Sequence, residues 1–190
     1  MNEVDELLAK SLGEPRPPWQ KTTLRRAAVL APILEHEGED ALLFVVRASS
    51  LQKHAGQIAF PGGAADQQDL DPASCALRET HEEVGVSPDR VALLGSLPSS
   101  TSSSNYRVHC LVGRVHGIFE PRVDAGEVER LLFVPIRELL PADRWTHERA
   151  PGPGGNDFPP SPHFRVGGDV IWGLTGRFTW ALLESLRKAR

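Results

Sequence analysis

Long apolar runs are missing from this chain of 190 residues. The longest, "AAVLAPIL" and "ALLFVV", fall far short of the ~20 residues that a bilayer-spanning helix needs. The N-terminal "MNEVDELLAK" is acidic and has no apolar stretch of the kind a secretory signal requires. The C-terminal "RKAR" matches no targeting tripeptide. There is also no basic excess: the formal net charge is -4 and the pI about 6.0. A main partner that is a polyanion, such as nucleic acid, is therefore not expected. Cysteine is scarce, at 2 residues. Cys75 and Cys110 are too few and too scattered for a disulfide framework or a zinc site, and read as small buried hydrophobes. No internal repeat and no dividing linker is visible. These absences lead to the expectation of a soluble cytoplasmic protein, with one domain over 1–190.

What is there is ordinary globular material, 40% hydrophobic and 24% charged. An N-terminal helical extension is expected over 1–20, its helix read from "VDELLAKSL" and stopped by the prolines of "GEPRPPW". "RRAAVLAPIL" and "ALLFVVRA", joined by the polar "HEGED", read as two strands of a hairpin. "SSLQKHAGQIAFPGGAADQQDLD" reads as loop, with a short strand at 57–60. Asp71-Pro72 is a strong helix start, and Gly85 a natural stop, so a helix is predicted over about 72–84. "RVALLGSLPS" and "RVHCLVGRVHG" are expected as strands around a serine-rich loop. "RLLFVPIRELL" reads as a strand passing into a short helix. "PADRWTHERAPGPGGNDFPPSPHF" reads as a long functional or mobile loop. "RVGGDVIWGLTG" is expected to be a strand and turn, and a closing helix is expected over 176–190. With the core at about 25–180, this order predicts an α+β architecture, an α/β/α sandwich with a mixed sheet.

The central helix carries an odd face. At 100° per residue Ala76, Leu77, Thr80 and Val84 lie on one side, and Glu79, Glu82 and Glu83 lie on the other within roughly a 100° arc. Like charges at this spacing cost about 0.2–0.5 kcal/mol per pair. A hard divalent cation prefers oxygen ligands, and Mg²⁺ takes one or two carboxylates besides water and phosphate. Glu79 and Glu83, one turn apart, can reach a common ion, and Glu82 can share it. Arg78 can orient Glu82 by a charge-assisted hydrogen bond. A solvated acidic surface is the alternative reading of the same residues.

"RETHEEVGV" resembles the second half of the Nudix hydrolase signature at Arg78, Glu79, Glu82, Glu83, Gly85 and Val86. Gly63 stands where the signature begins. Asp69 replaces its first glutamate, with one residue inserted before Arg78, and Thr80 replaces an apolar residue. A second likeness, in "LLFVVRASSLQKHAGQIAFPGG", is to the coenzyme A pyrophosphatase subgroup, at Arg47, Ala48, Gly56 and Phe60-Pro61-Gly62-Gly63. Gln52 replaces an arginine of that pattern. "SSTSSSNYRV" and "IWGLTGR" also look like the subgroup.

The resemblance implies a Nudix fold with a central loop-helix-loop metal site. It also implies a Mg²⁺- or Mn²⁺-dependent attack of water on a diphosphate. From coenzyme A the products would be 3′,5′-adenosine bisphosphate and 4′-phosphopantetheine. The metal is then expected on Glu79, Glu82 and Glu83. Glu83 or Glu82 is expected as the general base, with Glu127 or Glu129 as a further candidate and Arg78 in the catalytic group. Arg47, Gly62 and Gly63 are expected at the substrate. His54, His109 and His163 are read as incidental, and Trp172 as core. The partner is a small molecule, with no nucleic acid or membrane, and a homodimer is the assembly considered. ADP-ribose or NADH is the alternative substrate, and a non-catalytic nucleotide sensor the alternative class.

Overall fold

The computed structural model describes residues 2–50, 55–149 and 159–189. Gln52, Lys53 and His54, singled out above, lie outside the described residues.

Two strands, β1 (Arg25–His36) and β2 (Glu39–Arg47), form the expected hairpin, turning at Glu37 and Gly38 with positive φ. Their side chains alternate between two buried faces. Ala31, Ile33, Leu42, Phe44 and Val46 point into the larger core, while Ala28, Leu30, Leu43 and Val45 point to the other side. Burial on both faces explains why these strands read as continuous apolar runs.

The chain then adds β3 (Ile58–Ala59), β4 (Gly62–Ala64), helix α2 (Pro72–Val84), β5 (Val91–Thr101), β6 (Tyr106–Val115) and β7 (Val128–Pro135). The larger sheet runs β3-β2-β1-β6-β5, with β4 on β1 and β7 on β2. Only β1 and β6 among these pairs run parallel, so the sheet is mixed as expected. A second sheet, β10-β9-β8, comprises β8 (Trp145–Glu148), β9 (Ser161–Val166) and β10 (Asp169–Ile171).

Helix α2 packs on one face of the large sheet, against β1, β4 and β6. On the other face lie α1 (Glu3–Ser11) and α4 (Gly173–Ala189), with Leu8, Phe178, Leu182, Leu183 and Leu186 in the core. A short α3 (Ile136–Leu139) follows β7. This is an α/β/α arrangement.

Four expectations need correction. Helix α1 ends at Ser11, and the chain beyond it runs extended, with Gly13 bridging Ser96 of β5. The Gly-Gly segment, read as loop, is strand β4, because Gly62 and Gly63 sit flat against Val29 and Ala28 of β1. The proline-rich segment read as one long loop contains β8 and the start of β9, which pair with each other. Its residues 150–158 lie outside the described residues. Helix α4 starts at Gly173 rather than at 176.

Candidate active site

Helix α2 begins and ends as its sequence dictates. Asp71 caps it by accepting the Ser74 N–H at 2.6 Å, and Gly85 stops it in the left-handed conformation at φ 81°. Between these ends Arg78 gathers carboxylates. Its Nε and Nη2 donate to the two oxygens of Asp69 at 3.2 and 2.9 Å. Its Nη1 meets Glu79 at 2.9 Å and Glu82 at 3.0 Å. Asp69, whose place in the resemblance was irregular, thus anchors the arginine, with a side chain only 4% exposed. Despite that burial, the bonds from Arg78 hold its carboxyl below the usual range.

Glu83 behaves differently from its neighbours. The helical wheel set it on the charged, solvent-facing side, but it is only 3% exposed. Two segments close over it. The Gly62 N–H of β4 donates to its carboxylate at 3.0 Å. The stretch after β6 docks on the helix end, where the Asp124 N–H donates to the Glu83 carbonyl at 3.0 Å and the Arg122 N–H to that of Val84 at 3.1 Å. Burial pushes the Glu83 carboxyl up to about 7, with Gly62 and Arg47 pulling it down and Glu127 and Glu79 adding to the rise. Glu79 is also raised, first by burial and then by the charges of Glu82 and Glu127.

The two glycines make this approach possible. Gly62 has φ 150°, and a Cβ there would overlap the Ala28 carbonyl and the Val29 backbone. A Cβ on Gly63 would overlap the Glu79 carboxylate. Backbone and carboxylates meet at a distance that no side chain permits.

Arg47 ends β2 at a register shift of its pairing with β7. Its backbone is pinned by the Gln57 carbonyl and the Gly56 N–H, each at 3.0 Å. Its Nε is buried with no hydrogen-bond partner among the described residues, and its charge reaches Glu83. Glu127 is near enough for its charge to raise both Glu79 and Glu83.

A cavity of about 490 Å³ opens beside Arg47, lined also by Ile58, Ser103, Trp172, Leu174 and Arg177. A second, of about 260 Å³, reaches Gly62 and Gly63 and shares Ala59, Ser102, Ser104, Leu174 and Thr175 with the first. Trp172, expected in the core, is a half-buried wall of the larger cavity. Arg177 carried no signal in the sequence beyond the "IWGLTGR" likeness. His109 and His163 are buried, against Trp19 and Trp172. Cys75 and Cys110 are free and buried, and burial pushes the Cys75 thiol up to about 12.

Among the described residues, no three His, Cys, Asp or Glu side chains are already converged to hold a metal ion. Here Glu79 and Glu82 share Arg78, and Glu83 turns to Gly62. The chemistry of the donors nevertheless suits a hard divalent cation. They are carboxylates only, on adjacent turns, and two of them resist ionisation through burial and mutual repulsion, which a cation would relieve.

The mixed sheet between helices, with an acidic helix behind a glycine strand, defines an α/β/α sandwich that carries its candidate site on α2 and β4. The chain belongs to the Nudix family: the NUDIX domain model matches residues 24–152. It is 38% identical over 143 residues to "Uncharacterized Nudix hydrolase NudL" of Enterobacter sp. (strain 638), covering 75% of this chain and 74% of that protein. The protein of the same description from Escherichia coli (strain K12) is 39% identical over 132 residues, 68% of each chain. Among solved structures, a MutT/nudix family protein from Enterococcus faecalis superposes with a TM-score of 0.53 at 13% identity, covering 90% of this chain and 63% of that one. A C. elegans Ap4A hydrolase superposes with a TM-score of 0.52 at 16% identity, covering 60% and 83%. These two likenesses bear on fold alone. Family membership makes the chain a Nudix hydrolase of the diphosphatase type, acting on a small nucleotide-like substrate, in a family typically dependent on a divalent metal. No helix among the described residues is long and apolar enough to cross a membrane.

Proposed function

We propose that this Nudix hydrolase cleaves the diphosphate of coenzyme A and its derivatives, releasing 3′,5′-adenosine bisphosphate and 4′-phosphopantetheine. The observation that carries the reading is Arg47. It belongs to the "RA…G…FPGG" pattern, its buried Nε has no partner among the described residues, and it stands between Glu83 and the larger cavity. A guanidinium so placed can grip a substrate phosphate away from the bond that breaks.

In this reading Glu79, Glu82 and Glu83 would hold Mg²⁺ or Mn²⁺. When bound, such a cation neutralises phosphate oxygens and acidifies a water molecule. Arg78, anchored by Asp69, keeps Glu79 and Glu82 in place. Glu83 or Glu82 takes the proton of the attacking water, and burial of Glu83 leaves it basic enough to do so near neutral pH. Gly62 and Gly63 bring backbone beside these carboxylates, where the diphosphate must lie.

A mass-spectrometric screen with Mg²⁺ against coenzyme A, ADP-ribose, NADH and diadenosine polyphosphates tests the substrate. Coenzyme A should be consumed at the highest kcat/KM. Faster cleavage of ADP-ribose or NADH would move the assignment to those substrates, and binding without any turnover would leave a sensor. In ¹⁸O-water the label should enter a phosphate of one product. Release of the acyl group from acyl-coenzyme A would instead indicate thioesterase chemistry.

A further inference from the structure

The larger cavity has a composition that the diphosphate chemistry does not use. Its lining includes two arginines, Arg47 and Arg177, and no carboxylate among the described residues. Neither arginine forms an ion pair among the described residues, whereas Arg130, Arg144 and Arg165 each hold one. The remaining lining mixes apolar side chains with hydroxyls, and Trp172 is its only described aromatic ring.

That ring is held in place. His163 stacks on one face of the Trp172 indole, with centroids 5.8 Å apart and planes 21° from parallel. His163 is itself buried, and its Nδ1–H donates to the Ser161 carbonyl at 2.8 Å. Behind it α4 sits so close to β9 that a Cβ on Gly176 would overlap the Pro162 carbonyl. Trp172 thus borders the cavity as a flat apolar plate backed by a fixed imidazole. Arg177 stands one turn further along α4.

A positively charged cavity with a fixed aromatic plate fits a ligand that is both flat and anionic. Stacking on an aromatic side chain accepts any base, and an arginine adds recognition of phosphate. We propose that this cavity is the nucleotide subsite: the adenine stacks on Trp172, and Arg177 receives the ribose phosphate that takes no part in cleavage. The inference rests on the diphosphatase reading above. It places base recognition on residues 161–177, C-terminal to the segment 24–152 that matches the family model. The pantetheine arm must then leave by the smaller cavity or by solvent.

Calorimetric titration of the full chain in EDTA reads this without turnover. The probes are adenosine 3′,5′-bisphosphate, adenosine 5′-monophosphate and 4′-phosphopantetheine. Trp172→Leu should weaken both adenosine nucleotides about ten- to hundredfold and leave 4′-phosphopantetheine unchanged. Trp172→Phe should restore most of the loss. Arg177→Gln should cut the preference for the bisphosphate over the monophosphate by about tenfold. If Trp172→Leu does not fold, Arg177→Gln carries the test, and an unchanged preference for the bisphosphate in that variant overturns the proposal. Unchanged adenosine affinity in Trp172→Leu overturns the proposal, as does a loss that falls on 4′-phosphopantetheine instead. Coenzyme A turnover by the wild type is measured in parallel. Absent turnover with Trp172-dependent adenosine binding removes coenzyme A as substrate and supports the base site. Turnover with Trp172-independent binding does the reverse.

Discussion

At position 83 the helix carries a carboxylate into a site where only 3% of it meets solvent. In the unfolded chain this group ionises near 4.5; folding raises it to about 7 through burial. The raised value means that the buried neutral form is favoured, so its stability contribution is complete below pH 4.5 and is lost as pH rises to about 7. At full ionisation the loss is on the order of 3 kcal/mol. Glu83→Gln removes the titration and keeps size and helix propensity. In metal-free protein its Tm should match wild type near pH 5 and exceed it by several degrees at pH 8, as a melting series would read. With Mg²⁺, kcat should fall about 10²–10⁴-fold if Glu83 is the general base. Near-full activity would leave the acidic face without a catalytic role. Arg47→Ala should act otherwise. A phosphate grip away from the reacting bond serves ground and transition states alike, so KM should rise more than kcat falls in steady-state kinetics.

At the scale of the element, α2 depends on two aspartates with separate tasks. Asp71 satisfies the N-terminal amides, accepting from both the N–H and the hydroxyl of Ser74 at 2.6 Å. Asp71→Ala should cost about 1 kcal/mol, read by urea denaturation, with kcat unchanged. Asp69 lies outside the helix and holds Arg78 by two bonds. Asp69→Ala should free Arg78, loosen Glu79 and Glu82, and lower kcat about tenfold at a rate-saturating metal concentration. If the two variants give the same profile, Asp69 is only a second cap. The helix itself was legible from end to end, because caps, stop and apolar spacing are local signals. Strand β4 was not. Two glycines read as a turn, and only their contact with β1 makes them strand.

At the scale of the molecule, α1 is tied to the sheet by a buried charge cluster. Arg114 of β6 donates to Asp5 at 2.7 and 2.9 Å and to Asp40 at 2.5 Å. Burial disfavours the charged guanidinium, but its bonds to Asp40 and Asp5 win and raise its pKa. Removing one partner of such a cluster leaves the others buried without compensation. Arg114→Leu should therefore cost about 3–5 kcal/mol in urea denaturation, far more than loss of a surface pair. A change below 1 kcal/mol would mean that water enters to solvate Asp5 and Asp40.

The sequence by itself determined whatever is written within a few turns of chain. It set the hairpin of β1 and β2, the limits of α2, the mixed α/β/α layering, and the pairing of Arg78 with Glu82. These follow from caps, periodicity and i,i+4 reach, which need no partner elsewhere. The tertiary structure decided what depends on distant segments. Glu83 is buried because β4 and residues 122–124 close over it, and no local rule gives that. Asp69 acquires Arg78 because the loop before α2 folds back despite its extra residue. Trp172 and Arg177 join Arg47 in one cavity although more than a hundred residues of chain separate them. Side-chain environment is a property of packed surfaces, and packing between remote segments leaves no periodic mark on either one.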